Sequence, residues 1–251
     1  MCQAPSLAKS SRSPGYEAPP VSASVLVMLS PFTLEGLGVR LEPLATAHAA
    51  ALADAAAGDR ASYGYTWVPD GADDARRYVE SALAHRDSGR AVPFAVRHLA
   101  SGDVVGSTRF LDLDVFAWPP PWPPGVESGP EPSDENPPTV AEIGSTWYSA
   151  GVQRTGVNTA GKFLMLRHAF ETWGALRVTL KTDARNAASR AAIGRLGARF
   201  EGVRRAHGPA SDGTVRDTAY FSIVADEWPA VRDHLQSRLA RGAVCPRFPL
   251  A

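Results

Sequence analysis

The sequence predicts a mixed α/β domain, in which helices flank a central sheet. Two patterns favour this fold class: helices precede a β-hairpin, and strand, helix, strand and helix then alternate before a final strand pair. A loop that contains glycine, residues 153–158, joins the strand-like residues 142–148 to a long amphipathic segment. A chain of 251 residues can bury one substantial core, so we expect one domain with added segments.

The first elements are a short strand and two helices. Residues 39–43 alternate in polarity as a strand does, and Thr46 is expected to cap an alanine-rich helix that runs to about Gly58. Apolar residues recur at helical spacing over residues 73–88, which predicts a second helix with Gly89 as its end.

A hairpin and an alternating region follow. Residues 93–98 and 104–110 have the character of paired strands. A long helix is expected over residues 157–173, and the β-branched residues 177–182 predict the next strand.

Residues 114–138 contain two proline clusters. Proline lacks an amide donor and disrupts both helices and central strands, so this insertion is predicted to lie outside the sheet. One interpretation is a solvated insertion, because long loops cost little closure entropy. The alternative is a lid or a dimer contact that uses Phe116, Trp118 and Trp122 as apolar anchors.

The ends of the chain differ from its centre. Residues 1–27 are rich in Ser, Pro and Ala and predict a flexible arm, and residues 242–251 are expected to be a tail. Cys2 and Cys245 lie in these segments, which fits a reduced cytoplasmic protein better than a disulfide framework.

The composition argues against several classes of partner. The 26 basic and 26 acidic side chains balance, so no field is expected to attract nucleic acid or an anionic membrane surface. No stretch approaches the roughly 18 apolar residues of a membrane-spanning helix. No cluster of Cys or His has metal-ligand spacing, so we expect no metal.

The loop at 153–158 leads directly into a helix N-terminus. The first amides of a helix have no partner within the helix and carry a partial positive charge, so they can hold a phosphate or pyrophosphate. Gly156 would allow close approach of such a group. A strand, a loop and a helix with one glycine are also a common way to reverse the chain, so the motif alone is weak.

The order of elements and motifs from residue 142 to residue 205 resembles the GNAT superfamily of N-acyltransferases, and most closely its RimJ/RimL-like branch. The matching residues are Gln153, Gly156, Asn186, Ser189 and a Leu-Gly pair that closes the last helix. The resemblance implies a GNAT domain over residues 28–241. Its expected fold is a mixed, mostly antiparallel sheet of about six to seven strands, with a V-shaped opening between strands 4 and 5.

The resemblance also implies acetyl-CoA as co-substrate. In the family the loop binds the coenzyme A pyrophosphate, Asn186 would lie along the pantetheine arm, and amides of the preceding strand would orient that arm. Arg154 and Asn158 depart from the family pattern, although the Arg154 guanidinium can pair with a phosphate. The expected cofactor-binding residues are Thr146, Trp147, Tyr148, Gln153, Arg154, Thr155, Gly156, Val157, Asn158, Asn186 and Ser189.

For catalysis, the resemblance points to direct attack of an amine on the thioester. Glu142 is the expected base, acting through a water, although a strand carboxylate can also simply form a cross-strand pair. The tyrosine that many relatives use as an acid falls at Ile193, which makes Ser189 the candidate acid. His168 is expected to be a packed structural residue, whereas His207 is open between a substrate role and a structural one.

Three functions remain open on the sequence. The leading prediction is an acetyl-CoA-dependent N-acetyltransferase that acts on a protein or peptide N-terminus or on a small-molecule amine. The alternatives are a catalytically weak regulatory module that binds coenzyme A, and an unrelated α/β protein that binds small molecules. Members of the resembled family can form homodimers, which leaves a homodimer open here.

Overall fold

The computed structural model describes residues 29–116 and 131–243. In these ranges eight strands form one sheet. The strands are β1 (Leu34–Gly36), β2 (Val39–Pro43), β3 (Ala91–His98), β4 (Val104–Asp114), β5 (Val140–Tyr148), β6 (Arg177–Asp183), β7 (Arg199–Pro209) and β8 (Val215–Val224). The α-helices are α1 (Ala49–Ala56), α2 (Gly71–Asp87), α3 (Val157–Arg167), α4 (Ala187–Arg195) and α5 (Trp228–Ala243).

The sheet order is β1-β2-β3-β4-β5-β6-β8-β7. All neighbouring strands are antiparallel except β5 and β6, which run parallel. This confirms the predicted mixed, mostly antiparallel sheet. It has eight strands where six to seven were expected, and β1 is the strand that the prediction lacked because its three residues are too short to show a period.

The strands β5 and β6 pair only at one end. Their register runs from Val140 opposite Arg177 to Glu142 opposite Thr179, and no pairing continues beyond Glu142. The expected V-shaped opening therefore lies between these two strands, which are the fourth and fifth in the family's order and the fifth and sixth of this sheet.

A β-bulge in β5 accompanies this separation. Ser107 of β4 pairs with Trp147 and Arg109 pairs with Gly144, so Ser145 and Thr146 together face Thr108. Ser145 has a φ of 46°, in the left-handed region. Bulges increase the local bend and twist of a strand, so this one turns the end of β5 away from β6.

Apolar side chains form a core on each face of the sheet. The larger core includes α3, α5 and the inward residues of the central strands. Eight of the eleven residues of α3 are buried, which is typical of a helix packed on several sides. The smaller core lies under α1 and α2 and contains Trp147, whose ring meets those of Tyr63 and Tyr78 edge-on.

Two helix boundaries differ from the sequence prediction. Thr46 is not a cap, because residues Thr46–His48 form a 3-10 turn and the preceding residue, Ala45, is the extended one. The Ala45 amide donates to Nδ1 of His48 at 2.9 Å, so an imidazole does the capping. The helix predicted over residues 157–173 is α-helical only to Arg167, and a π-helical turn, His168–Thr172, follows.

Several sequence predictions lie outside the described residues. Residues 1–27, most of the predicted tail, and Trp118 and Trp122 of the insertion are among them. Phe116 lies at the described edge of the insertion and is exposed. Across residues 29–116 and 131–243, no helix is both long and apolar enough to cross a membrane.

Candidate active site

The opening between β5 and β6 belongs to a cleft of about 490 Å³. Tyr65 and Trp67 border it on the α2 side of the sheet, and Asn158, Lys162 and Ser189 border it on the α3 and α4 side. The cleft thus passes between the separated strands. A molecule bound on one face of the sheet could therefore contact a molecule bound on the other face.

The loop before α3 is held by its own side chains. Gln153 donates from Nε2 to the Tyr148 carbonyl oxygen and to Oγ of Ser62, both at 3.1 Å. The Thr155 hydroxyl donates to the Val152 carbonyl oxygen at 2.6 Å and accepts from the Val157 amide at 3.3 Å. Gln153 and Thr155 therefore shape the loop, and Val157 is buried in the core.

Arg154 adopts a φ of 61° and is exposed. This conformation favours glycine, which explains why glycine stands at this place in many members of the resembled family. The guanidinium remains free to reach an anion near the loop. Asn158, the second departure from the family pattern, lies in the first turn of α3 and borders the cleft.

The N-terminus of α3 fits a pyrophosphate. Gly156 is the N-cap, with a φ of −73°, and no side chain caps the helix. The first turn of α3 contains no acidic residue, and a side chain added at Gly156 would meet no atom within 4 Å. Apart from the Val157 amide, which donates to Thr155, the first amides of α3 are thus open to an anion, as coenzyme A binding requires.

The start of α4 is capped by Asn186. Its Oδ1 accepts a hydrogen bond from the Ser189 amide at 2.9 Å. The side-chain oxygen that could contact a pantetheine arm is therefore engaged, while the Nδ2 donor is available. Ser189 and Ile193 both border the cleft. Ile193 is apolar and stands where many relatives have the tyrosine that acts as general acid.

Thr146, Trp147 and Tyr148 have different environments. Thr146 borders the cleft, whereas the side chains of Trp147 and Tyr148 are buried in the two cores. An aromatic strand residue gives no sign in the sequence of which face of the sheet its ring occupies. Only the backbone amides of Trp147 and Tyr148 are left for the predicted cofactor contact.

Glu142 lies at the last pair of β5 with β6 and borders the cleft. Its carboxylate forms an ion pair with Lys181, which also pairs with Asp112 at 2.9 Å. Burial raises the pKa of Glu142 to about 7, and the attraction of Lys181 only partly opposes this rise. A carboxylate with that pKa is well matched to accept a proton near neutral pH.

Lys162 is a site residue that the sequence interpretation missed. It is 5% exposed and borders the cleft from α3. Its Nζ lies 2.6 Å from Oγ1 of Thr146 and 3.3 Å from Oγ1 of Thr108. Burial lowers the pKa of this amine to about 7, with Glu142 pulling in the opposite direction. The sequence signal that could have identified this residue is a single lysine within the otherwise apolar residues 160–166.

The two histidines lie in different surroundings. His168 stacks on Phe32 with 4.2 Å between ring centroids and meets Trp173 edge-on, and burial lowers its pKa to about 4, so it is a packed aromatic residue. His207 borders the cleft, and its ring nitrogens lie 2.9 Å from the Thr218 hydroxyl and 3.3 Å from the Tyr220 hydroxyl.

No group of three or more His, Cys, Asp or Glu side chains is arranged to hold a metal ion within the two described ranges. The cleft is bordered by the carboxylates of Glu142 and Asp183, by Lys162 and Lys181, by His207 and Arg216, and by hydroxyl groups.

Comparison with known proteins agrees with this geometry. Residues 39–199 match the family model described as an acetyltransferase (GNAT) domain. A GCN5-related N-acetyltransferase from Brucella melitensis is 29% identical, with a TM-score of 0.68 over 84% of this chain and 86% of that chain. A protein from T. thermophilus, assigned as an acetyltransferase, is 30% identical, with a TM-score of 0.65 over 84% of this chain and 98% of its own.

A third structure, RimJ of Mycobacterium smegmatis in complex with CoA-disulfide, shares the fold at 22% identity. Its TM-score is 0.63 over 83% of this chain and 95% of that chain. A comparison with curated proteins gave no match. The family match spans most of the chain and includes the bulge, the loop before α3 and the N-terminus of α4. The protein is therefore an acetyltransferase of the GNAT family.

Proposed function

We propose that this protein is an acetyl-CoA-dependent N-acetyltransferase of the RimJ/RimL-like branch, with a primary amine as acceptor. The observation that carries the proposal is the position of Glu142, whose carboxylate lies where β5 and β6 separate, in a cleft bordered also by the first turn of α3. The end of the cleft at the start of α3 suits an anionic cofactor, and Glu142 is the proposed base beside it.

Coenzyme A would be held by the loop and by the two helix starts. The open amides of α3 after Val157 would hold the pyrophosphate, and Arg154 would add a charged contact. Asn158, Ser189 and the Nδ2 of Asn186 would face the pantetheine arm. Bound acetyl-CoA supplies the activated acetyl thioester.

Glu142 would take a proton from the acceptor, directly or through a water. An ammonium has no lone pair, so the amine must lose a proton before or during attack. By strand alternation Glu142 points to the face opposite Ala141 and Ile143, which pack in the α3 core. The base therefore faces the side from which an acceptor can enter, past Tyr65 and His207.

The acceptor class is open to a direct test. Purified protein and acetyl-CoA would be incubated with three kinds of amine: peptides with a free N-terminus, matched peptides with a blocked N-terminus and an internal lysine, and small polyamines. Thiol release and the acceptor mass would be followed together. A gain of one acetyl group on one class names the acceptor. Thiol release without any acetylated product would contradict the proposal.

The regulatory alternative predicts a different result. A module that only binds coenzyme A would bind acetyl-CoA and leave every amine unmodified. The same experiment with Glu142→Gln gives the matched control, because a base-dependent reaction must slow while cofactor binding persists.

A further inference from the structure

Lys162 lies in surroundings that are unusual for a lysine. It is 5% exposed and sits between the buried residues Gly161 and Phe163 of α3. Throughout the described ranges, no carboxylate forms an ion pair with it, whereas Lys181 pairs with two. Burying an amine without a counter-charge is costly, so a merely structural lysine at this place would be disfavoured.

The hydrogen bonds of Lys162 leave one donor unused. An ammonium group has three N–H donors. Two of them are directed at Thr146, at 2.6 Å, and at Thr108, at 3.3 Å. Because Lys162 borders the cleft, the remaining donor is left for a group bound between β5 and β6. The two threonines fix the direction of the amine.

The position of Lys162 relates it to both ends of the site. Asn158 lies four residues earlier on the same face of α3, next to the open helix N-terminus. Thr146 belongs to the bulge where β5 leaves β6. Glu142 points to the opposite face of the sheet. An amine and a carboxylate thus flank the opening from its two sides.

We propose that Lys162 is the catalytic acid that protonates the leaving sulfur of coenzyme A. This inference rests on the proposed function. The acceptor nitrogen forms a bond to the acetyl carbon, and Glu142 takes the proton which that nitrogen loses. The carbon–sulfur bond breaks with its electron pair on sulfur, and the Lys162 ammonium gives that sulfur a proton. Before the next turnover Glu142 releases its proton to solvent and the neutral amine of Lys162 regains one, so both groups return to their starting states.

The acidities of the groups agree with this assignment. The pKa of Lys162 is lowered to about 7 by burial, whereas a thiol has an ordinary pKa of about 8.5, so proton transfer from the ammonium to a thiolate is favourable. Ser189, the acid that the resemblance implies, is a much weaker acid, so it is left a hydrogen-bonding role. Besides Lys162, the charged or titratable groups that border the same cleft are Tyr65, Tyr78, Glu142, Lys181, Asp183, His207 and Arg216.

The first test measures the amine itself. The sequence contains three lysines, Lys9, Lys162 and Lys181, so NMR spectra of side-chain-labelled lysine are simple, and Lys162→Met identifies the signal. We expect Lys162 to titrate about three pH units below the value of about 10.4 for a free lysine. A Lys162 signal that titrates near the free value would overturn the proposal.

The second test reports on the sulfur. Ultraviolet absorbance follows ionisation of the thiol of bound CoA. If Lys162 contacts the sulfur, thiolate that forms while the amine is still protonated is stabilised, so ionisation of the bound thiol begins at lower pH in the wild type than in Lys162→Met. Equal ionisation in both proteins would mean that the amine does not contact the sulfur, even if acetyl transfer occurs.

The third test is kinetic. Lys162→Met is expected to lower kcat by about 10²- to 10⁴-fold, as removal of a general acid does, and Ser189→Ala by less. Lys162→Arg keeps the charge but not the acidity, so it should remain equally slow. Recovery of activity by the arginine would show an electrostatic role and overturn the acid assignment.

A chemical rescue covers the case in which these variants pack poorly. In a background with Cys2→Ser and Cys245→Ser, Lys162→Cys alkylated with bromoethylamine carries a lysine analogue of lower pKa. Activity should return. The fall in activity at high pH, caused by deprotonation of the amine, should begin at lower pH than in the wild type. Activity that returns with this fall at the wild-type pH would contradict the proposal. Absence of any acetyl transfer by the wild type would instead refute the proposed function, which the NMR titration does not depend on.

Discussion

Lys181 of β6 forms its ion pair with Glu142 of β5 immediately beyond the last paired residues of the two strands, Glu142 and Thr179. The pair therefore bridges the mouth of the opening. Lys181 also forms an ion pair with Asp112. One ammonium group therefore serves two carboxylates, and Glu142 shares its counter-charge. This arrangement keeps the carboxylate in place, and burial still raises its pKa to about 7.

Replacing Glu142 by Gln is expected to lower kcat by about 10²- to 10⁴-fold, because the amide cannot accept the acceptor's proton. In the wild type the base works only when deprotonated, so activity should rise with pH below about 7, which is the acidic limb of the profile. Above about 7 activity should fall again, because the acid Lys162 then loses its proton. The variant should lose this acidic limb. The measurement is kcat/KM for the acceptor against pH.

Asp112→Asn is the matched control for that variant. Asp112 is exposed and contacts Lys181, so its removal changes the network's charge without removing the base. If kcat/KM of Glu142→Gln still falls at acidic pH as it does in the wild type, the titrating group is not Glu142.

Lys162→Met should change stability in a pH-dependent way. The amine titrates near 7 in the folded protein and near 10.4 when unfolded, so between these values the unfolded chain binds more protons. Wild-type stability therefore gains from Lys162 as pH rises through this window. The free energy of unfolding of Lys162→Met should therefore exceed that of the wild type by most near pH 6. This difference should shrink by on the order of 3 kcal/mol toward pH 10.

Denaturant unfolding of both proteins at several pH values checks this. Lys181→Met is the opposite control, because the pKa of Lys181 is raised, chiefly through its bonds to Glu142 and Asp112, which outweigh desolvation by burial. That cation stabilises the fold at neutral pH, and its loss should destabilise. A stability difference for Lys162→Met that does not vary with pH would show that the amine titrates normally.

The sequence was informative where local chemistry decides structure. Glycine, apolar spacing and β-branched residues predicted β5, the loop before α3, and β6 close to their observed bounds. These signals are local, so they survive without knowledge of tertiary contacts. Gly156 was proposed in the same way, from a glycine before a helix start, whereas Ser189 was proposed from the family resemblance.

The missing features depend on tertiary contacts. Whether Trp147 faces a cofactor or a core depends on the β4–β5 register and its bulge, which no local pattern reveals. Lys162 looked like one polar residue in an amphipathic helix, and its burial follows from α3 packing on several sides. The π-helical turn at His168 likewise coincides with aromatic contacts to Phe32 and Trp173.

Asn186 should show separable structural and cofactor roles. Asn186→Ala removes the N-cap of α4 and is expected to cost about 1 kcal/mol of stability. Asn186→Asp keeps an oxygen that caps the helix but loses the Nδ2 donor. We expect Asn186→Asp to retain the wild-type Tm and to raise the KM for acetyl-CoA. Unchanged KM in this variant would leave Asn186 with its capping role alone.

The most direct test of the account is calorimetric titration with acetyl-CoA of the wild type, Gly156→Asp and Gly151→Asp. Both glycines have open space for a side chain, and at Gly156 aspartate is also a favourable N-cap, so both variants should fold. We predict that Gly156→Asp weakens binding by about tenfold or more, because its carboxylate occupies the pyrophosphate position, and that Gly151→Asp binds as the wild type does. Equal binding by all three proteins would place the cofactor elsewhere, and no binding by the wild type would contradict the account as a whole.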